Sequence, residues 1–135
     1  MKKRALSLIL SLAVMMSFCS IGASASGSGA KYSYTDSVTT TLSKSGSNLT
    51  GKVDVQGYMG ITTKIEIKQY LERRFLGDIW WPVDNGSQTT YSFAASYSKN
   101  YGTHGSGTYH IYSEVTVYSG SNYETITQTS TEKTI

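Results

Sequence analysis

Three observations predict an all-β fold, an antiparallel two-sheet sandwich of about seven strands. Apolar and polar residues alternate with period two along most of the chain beyond residue 31. Thr, Tyr, Ser, Val and Ile dominate that part, and no helical period lasts longer than a turn or two. Turn residues recur at fairly regular spacing, the connections are short, and no segment is left over for a covering helix, which favours a sandwich over a barrel or a parallel sheet.

The first 25 residues read as a secretion signal. Lys2-Lys3-Arg4 form a basic start, Ala5 to Phe18 a mostly apolar run, and Ala23-Ser24-Ala25 a small-residue cleavage site before Ser26. The apolar run is too short and too interrupted by serine for a span of about 20 residues. Cys19 does not make a lipoprotein site, because bulky Phe18 precedes it. Residues 26–31 are a small, glycine-rich lead-in, and 32–135 the sandwich domain. No anchoring motif precedes Ile135, so free release outside the cell is expected.

Of the twelve Lys and Arg, three belong to the signal, leaving nine to balance nine Asp and Glu. A domain so nearly neutral lacks the concentrated positive field with which proteins meet nucleic acid or anionic membrane. The single cysteine lies in the signal, so the domain is held by its core without disulfides.

The strands follow in order. Tyr34 to Leu42 places Tyr34, Val38, Thr40 and Leu42 on one face, and Ser43 to Ser47 turns the chain. Leu49, Gly51, Val53 and Val55 alternate with Thr50, Lys52, Asp54 and Gln56. In the third strand Ile61, Thr63, Ile65, Ile67 and Leu71 point inward, with Thr62, Lys64, Glu66, Lys68, Tyr70 and Glu72 outward. Ile79 to Val83 is a short strand whose Pro82 cannot donate to a ladder and so belongs at a sheet edge. Asp84-Asn85-Gly86 signals a turn. Tyr91, Phe93, Ala95 and Tyr97 mark the next strand, and Ser98 to Gly105 reads as a loop. A hairpin closes the domain, Gly107 to Tyr118 and Tyr123 to Thr134 around Ser119-Gly120-Ser121-Asn122, with Tyr109, Ile111, Val115 and Val117 inward.

Gly107-Thr108-Tyr109-His110-Ile111 resembles the start of the immunoglobulin F strand. The resemblance implies that Tyr109 is a corner tyrosine bonded to upstream backbone, and that Ile111 stands where a disulfide cysteine otherwise lies. The second strand has no cysteine and the third no core tryptophan, which are departures from that pattern. With Tyr118-Ser119-Gly120-Ser121 and Glu124-Thr125-Ile126-Thr127, the whole chain resembles small secreted immunoglobulin-like proteins of Gram-positive bacteria, a functionally uncharacterised family. That resemblance implies fold and extracellular location, and no activity.

No chemistry of a catalytic site is legible. The two histidines have no partners at zinc-ligand spacing, Gly105-Ser106-Gly107 lacks the third glycine of a dinucleotide loop, and no Gly-x-Ser-x-Gly elbow occurs. No cofactor or metal is expected, and an enzyme is not. The candidate features are aromatic. In adjacent strand positions Trp80 and Trp81 point to opposite faces; Trp81, in phase with Ile79 and Val83, is expected in the core, and Trp80 exposed near Arg73 and Arg74. If the third strand and the closing hairpin share a sheet, Tyr70 joins His110, Tyr112 and Tyr118 on its outer face. Tyrosines among small polar groups offer large contact area at little entropy cost. Trp80, Tyr70, Tyr112, Tyr118 and His110 are therefore the candidate binding surface of a secreted, non-enzymatic module for an extracellular protein or glycan. A secreted bacteriocin-like antagonist and a self-associating matrix component are the competing expectations.

Overall fold

In the computed structural model, which describes residues 32–135, eight strands form two antiparallel sheets and no helix is present among those residues. The expected signal and lead-in lie outside the described residues. The strands are β1 (Thr35–Ser45), β2 (Asn48–Gly57), β3 (Lys64–Phe75), β4 (Ile79–Thr90), β5 (Ala94–Thr103), β6 (Thr108–Ser119), β7 (Asn122–Thr129) and the two-residue β8 (Lys133–Thr134). One sheet has the order β1-β2-β5. The other runs β4-β3-β6-β7, with β8 pairing back onto β6. Third strand and closing hairpin thus share a sheet, and Pro82 lies in an edge strand as its missing N–H requires.

Alternation explains most of the core. Val38, Val53, Val55, Ile65, Ile67, Val115, Val117 and Ile126 fill one end, and Leu42, Leu49, Leu71, Tyr101, Tyr109 and Ile111 the other. The level between them is polar. Thr40, Gln69, Ser113 and Gln128 are all buried there. Thr40 Oγ1 lies 2.6 Å from Ser113 Oγ, Ser113 donates to the Gln128 carbonyl at 3.2 Å, and Gln128 Nε2 donates to the Val38 carbonyl at 3.0 Å. Gln69 Oε1 accepts from the Tyr101 hydroxyl at 2.5 Å, while its Nε2 has no partner. Gly51 makes room for this side chain, since a Cβ there would stand 2.5 Å from Gln69 Oε1 and 2.7 Å from Ile111 Cδ1.

Both ends of the chain segment are tied down. The Glu124 carboxylate on β7 accepts from Ser33 N at 3.0 Å, Tyr34 N at 2.8 Å and Thr35 Oγ1 at 2.8 Å. Burial, and then the Glu124 charge, raise the pKa of the nearby Tyr32 hydroxyl. At the other terminus Gly107 and Ile135 exchange backbone hydrogen bonds of 3.1 and 2.9 Å. The Tyr109 hydroxyl donates to the Gly105 carbonyl at 2.7 Å, closing the turn that leads into β6.

Four expectations are corrected. The third strand begins at Lys64, so Ile61 is exposed, while Thr62 is buried and donates to the Tyr34 carbonyl at 2.5 Å. Asp84-Asn85-Gly86 lies inside β4, which runs twelve residues. A register shift opposite Leu71/Glu72 absorbs Val83 as a bulge, and Gly86 is required because a Cβ there would collide with the Tyr97 hydroxyl. The loop expected at Ser98–Gly105 is mostly strand, because β5 continues to Thr103 and buries Tyr101. Finally, the last strand breaks at Ser130, which is buried and exchanges bonds of 2.8 Å with Ile111, its N to the Ile111 carbonyl and its Oγ accepting from Ile111 N.

Candidate binding surface

The outer face of the five-stranded sheet is set by register. Opposite Lys64, Glu66, Lys68, Tyr70 and Glu72 of β3 stand Tyr118, Thr116, Glu114, Tyr112 and His110 of β6. On β7, Tyr123, Thr125, Thr127 and Thr129 continue the same rows, and on the β4 side Asn85, Pro82 and Trp80 flank Tyr70, Glu72 and Arg74. All five sequence-derived candidates, Trp80, Tyr70, Tyr112, Tyr118 and His110, therefore fall on one face, although they come from three strands.

They divide into two kinds. Tyr70 and Tyr112 sit directly opposite each other with ring centroids 6.1 Å apart and tilted by 39°. Tyr118 stands against Tyr123 at 5.6 Å, under the Lys64 ammonium 4.0 Å from its ring centre. Its hydroxyl donates to Glu66 Oε2 at 3.1 Å, and Lys64 pairs with Glu66 at 3.3 Å. Partial desolvation, followed by that hydrogen bond and the Glu66 charge, raises the Tyr118 pKa. These tyrosines are partly exposed, with rings held in place by neighbours.

Trp80 and His110 are built differently. Their rings stack at 3.6 Å with an interplanar angle of 18°, and the Arg74 guanidinium lies 5.0 Å over the indole. His110 is buried, and its Nε2–H donates to Glu72 Oε1 at 2.7 Å. Arg74 is held by Glu132 at 2.6 Å. The imidazole is thus roofed by an indole, which is half-buried rather than exposed as expected. The correction extends to Trp81. It is 65% exposed, and with Ile79 and Val83 belongs to no core.

The reason lies in the reach of the two sheets. Ile79 and Trp81 pair with Phe75 and Arg73, which share the inward side with buried Leu71, so the phase read from the sequence is the inward one. Yet β4 meets the opposite sheet through β5 alone, along its second half, where Lys99 Nζ donates to the Asn85 carbonyl and Gln88 Nε2 to the Ser96 carbonyl at 3.2 Å. Among the described residues, no strand faces the end of the β3–β4 hairpin. Arg73, Phe75, Leu76, Ile79, Trp81 and Val83 there line an open groove of about 600 Å³. The signal that could have found it is the apolar run Phe75-Leu76 and Ile79-Trp80-Trp81 on both sides of a glycine turn, where tips are normally polar.

Among the described residues, no three His, Cys, Asp or Glu side chains stand together as a metal site, and no helix is long and apolar enough to cross a membrane. What the outer face offers is contact: flat rings that accept apolar surface and phenols that donate or accept hydrogen bonds. No family model matches this chain, and no curated protein matches it significantly.

Proposed function

We propose that this protein is a secreted, non-enzymatic sandwich of immunoglobulin-like topology that binds an extracellular protein or glycan through the outer face of its five-stranded sheet. The observation that carries the reading is that face itself: no other element among the described residues covers it, and it sets two tyrosine rows, Tyr70–Tyr112 and Tyr118–Tyr123, among threonines and paired charges. Tyrosine gives a recognition surface rigid contact area with a polar end, as in paratopes. The strand order of the two sheets and the hydroxyl bond from Tyr109 to the Gly105 carbonyl support the immunoglobulin-like assignment. Trp80 and His110 serve the surface as its rigid floor, since the stack and the Glu72 bond leave neither ring free to rearrange.

Glycan arrays and pull-downs from culture fluid with the wild type, Tyr112→Ala and Tyr70→Ala test the face. A ligand retained by the wild type and lost by both variants is the expected result. Identical profiles for all three would remove this face from consideration.

A further inference from the structure

The groove at the end of the β3–β4 hairpin lies on the opposite side of the sheet from the tyrosine rows, and nothing in the function just proposed uses it. Phe75 is 57% exposed, Leu76 78%, Ile79 57%, Trp81 65% and Val83 43%. Together these side chains present on the order of 600 Å² of contiguous apolar surface, at the upper end of what monomers leave in water. That approaches one partner's share, about 800 Å², of a standard protein interface, before any rim is counted.

The tip carries a second mark. Leu76 has φ 37°, in the left-handed region that asparagine and glycine occupy at far less steric cost. A strained backbone holds a large apolar side chain out into solvent, where an isolated domain gains nothing from it. Such outliers point to function.

From these observations we infer that the groove is a self-association surface: two copies stack the inner faces of their hairpins about a two-fold axis, each Leu76 entering the other's groove beside Trp81. Several features select a second copy over other occupants. The lining is apolar except for Arg73, which suits the core of a homodimer interface and offers a glycan almost no hydrogen-bonding partner. Arg73 and Asp78 carry opposite charges at the two ends of the patch, so an antiparallel two-fold contact brings Arg73 of each copy towards the partner's Asp78. Arg73 spends one amine on the Ser106 carbonyl at 2.6 Å and keeps further donors. An anionic lipid surface would meet the Asp78 carboxylate in the turn at the same tip. Stacking also shields the open half of β4, an edge strand that otherwise exposes alternating apolar residues.

Sedimentation velocity of the protein isolated from its host, across a wide concentration range, tests the inference. The expected result is a concentration-dependent rise to twice the mass of the chain. Trp81→Glu and Leu76→Asn should each weaken association by at least about 30-fold, the loss typical of an interface anchor, while Lys52→Ala on the other sheet leaves it unchanged. Trp81 is largely exposed and Leu76→Asn relieves the backbone, so both variants keep the fold, which circular dichroism verifies. Leu76→Asn should raise the melting temperature of the dilute monomer while weakening the dimer, an opposition that a merely structural role would not produce. A monomer at every concentration, or a dimer indifferent to both variants, would overturn the inference. So would a wild-type monomer that binds phosphatidylcholine–phosphatidylglycerol vesicles through Trp81.

Discussion

The buried pair Gln69–Tyr101 gives the most exacting test of how this core is balanced. Gln69 is fully buried, its Nε2 has no partner, and its Oε1 has one, the Tyr101 hydroxyl at 2.5 Å. Tyr101→Phe removes that partner and leaves both ends of a buried amide unpaired, which costs on the order of 1–3 kcal/mol. In a domain of this size that lowers the melting temperature by roughly 5–20 °C. Gln69→Met keeps an unbranched shape in the space opened by Gly51 and removes the orphaned amide nitrogen as well as the acceptor. It strands only the phenol of a residue that is 7% exposed, at about 1 kcal/mol. The double variant replaces both polar partners by apolar groups of like shape, so it should lie within about 1 kcal/mol of the wild type, because removing both ends of a bond leaves nothing unsatisfied. Urea unfolding of the four proteins closes the cycle, with an expected coupling of about 1–2 kcal/mol. A silent Tyr101→Phe, or a double variant worse than either single one, would refute the reasoning.

Burial, followed by the Tyr97 and Asp84 neighbours, raises the Tyr101 pKa far above its ordinary value. The folded state therefore binds this proton more tightly than the unfolded chain. The associated stability is fully present below about pH 10 and is lost as pH climbs beyond it; alkaline unfolding curves should be steeper for the wild type than for Tyr101→Phe. Tyr109→Phe deletes the hydroxyl bond to the Gly105 carbonyl and should cost about 1 kcal/mol in thermal unfolding. Glu124→Gln turns the carboxylate that accepts from Ser33, Tyr34 and Thr35 into a neutral amide, an expected loss of about 1–2 kcal/mol, with faster hydrogen exchange at Tyr34 N and the start of β1. Trp80→Ala unroofs His110 and should cost about 1–3 kcal/mol by urea unfolding, since it removes a stacked, half-buried indole.

Much of this architecture was legible because it depends on which side of a strand a residue faces. Val53, Ile65, Ile67, Tyr109, Ile111, Val115 and Val117 are buried where alternation puts them, and Tyr70, Tyr112, Tyr118 and His110 share the outer face that pairing of third strand and hairpin implied. Gln69 was not legible. It occupies an inward position between Ile67 and Leu71, and what makes it tolerable there is contributed from other strands, the missing Cβ of Gly51 and the hydroxyl of Tyr101. The misread turn at Asp84-Asn85-Gly86 has a similar cause. The residue types that favour a turn also suit a bulge, and Gly86 answers to a ring on β5 rather than to a backbone angle.

The tryptophans show where period two stops informing. Alternation fixes the side to which Trp81 points, and that side is the inward one; burial further requires that the opposite sheet reach so far. A sheet of three strands faces one of five here, and among the described residues no strand stands opposite the end of the β3–β4 hairpin. The consequence is an inversion of roles. Trp80, on the nominally wet face, is covered on one side by His110, and Trp81, on the nominally dry face, stands in water. A residue that carries the pattern of a core position without a core above it has two physical outcomes, a partner that completes the layer or a standing exposure of apolar surface. Leu76, held out at the same tip at a positive φ, is difficult to reconcile with the second. With the self-association inferred above, the inward face of this hairpin becomes half of a core whose other half a second copy supplies.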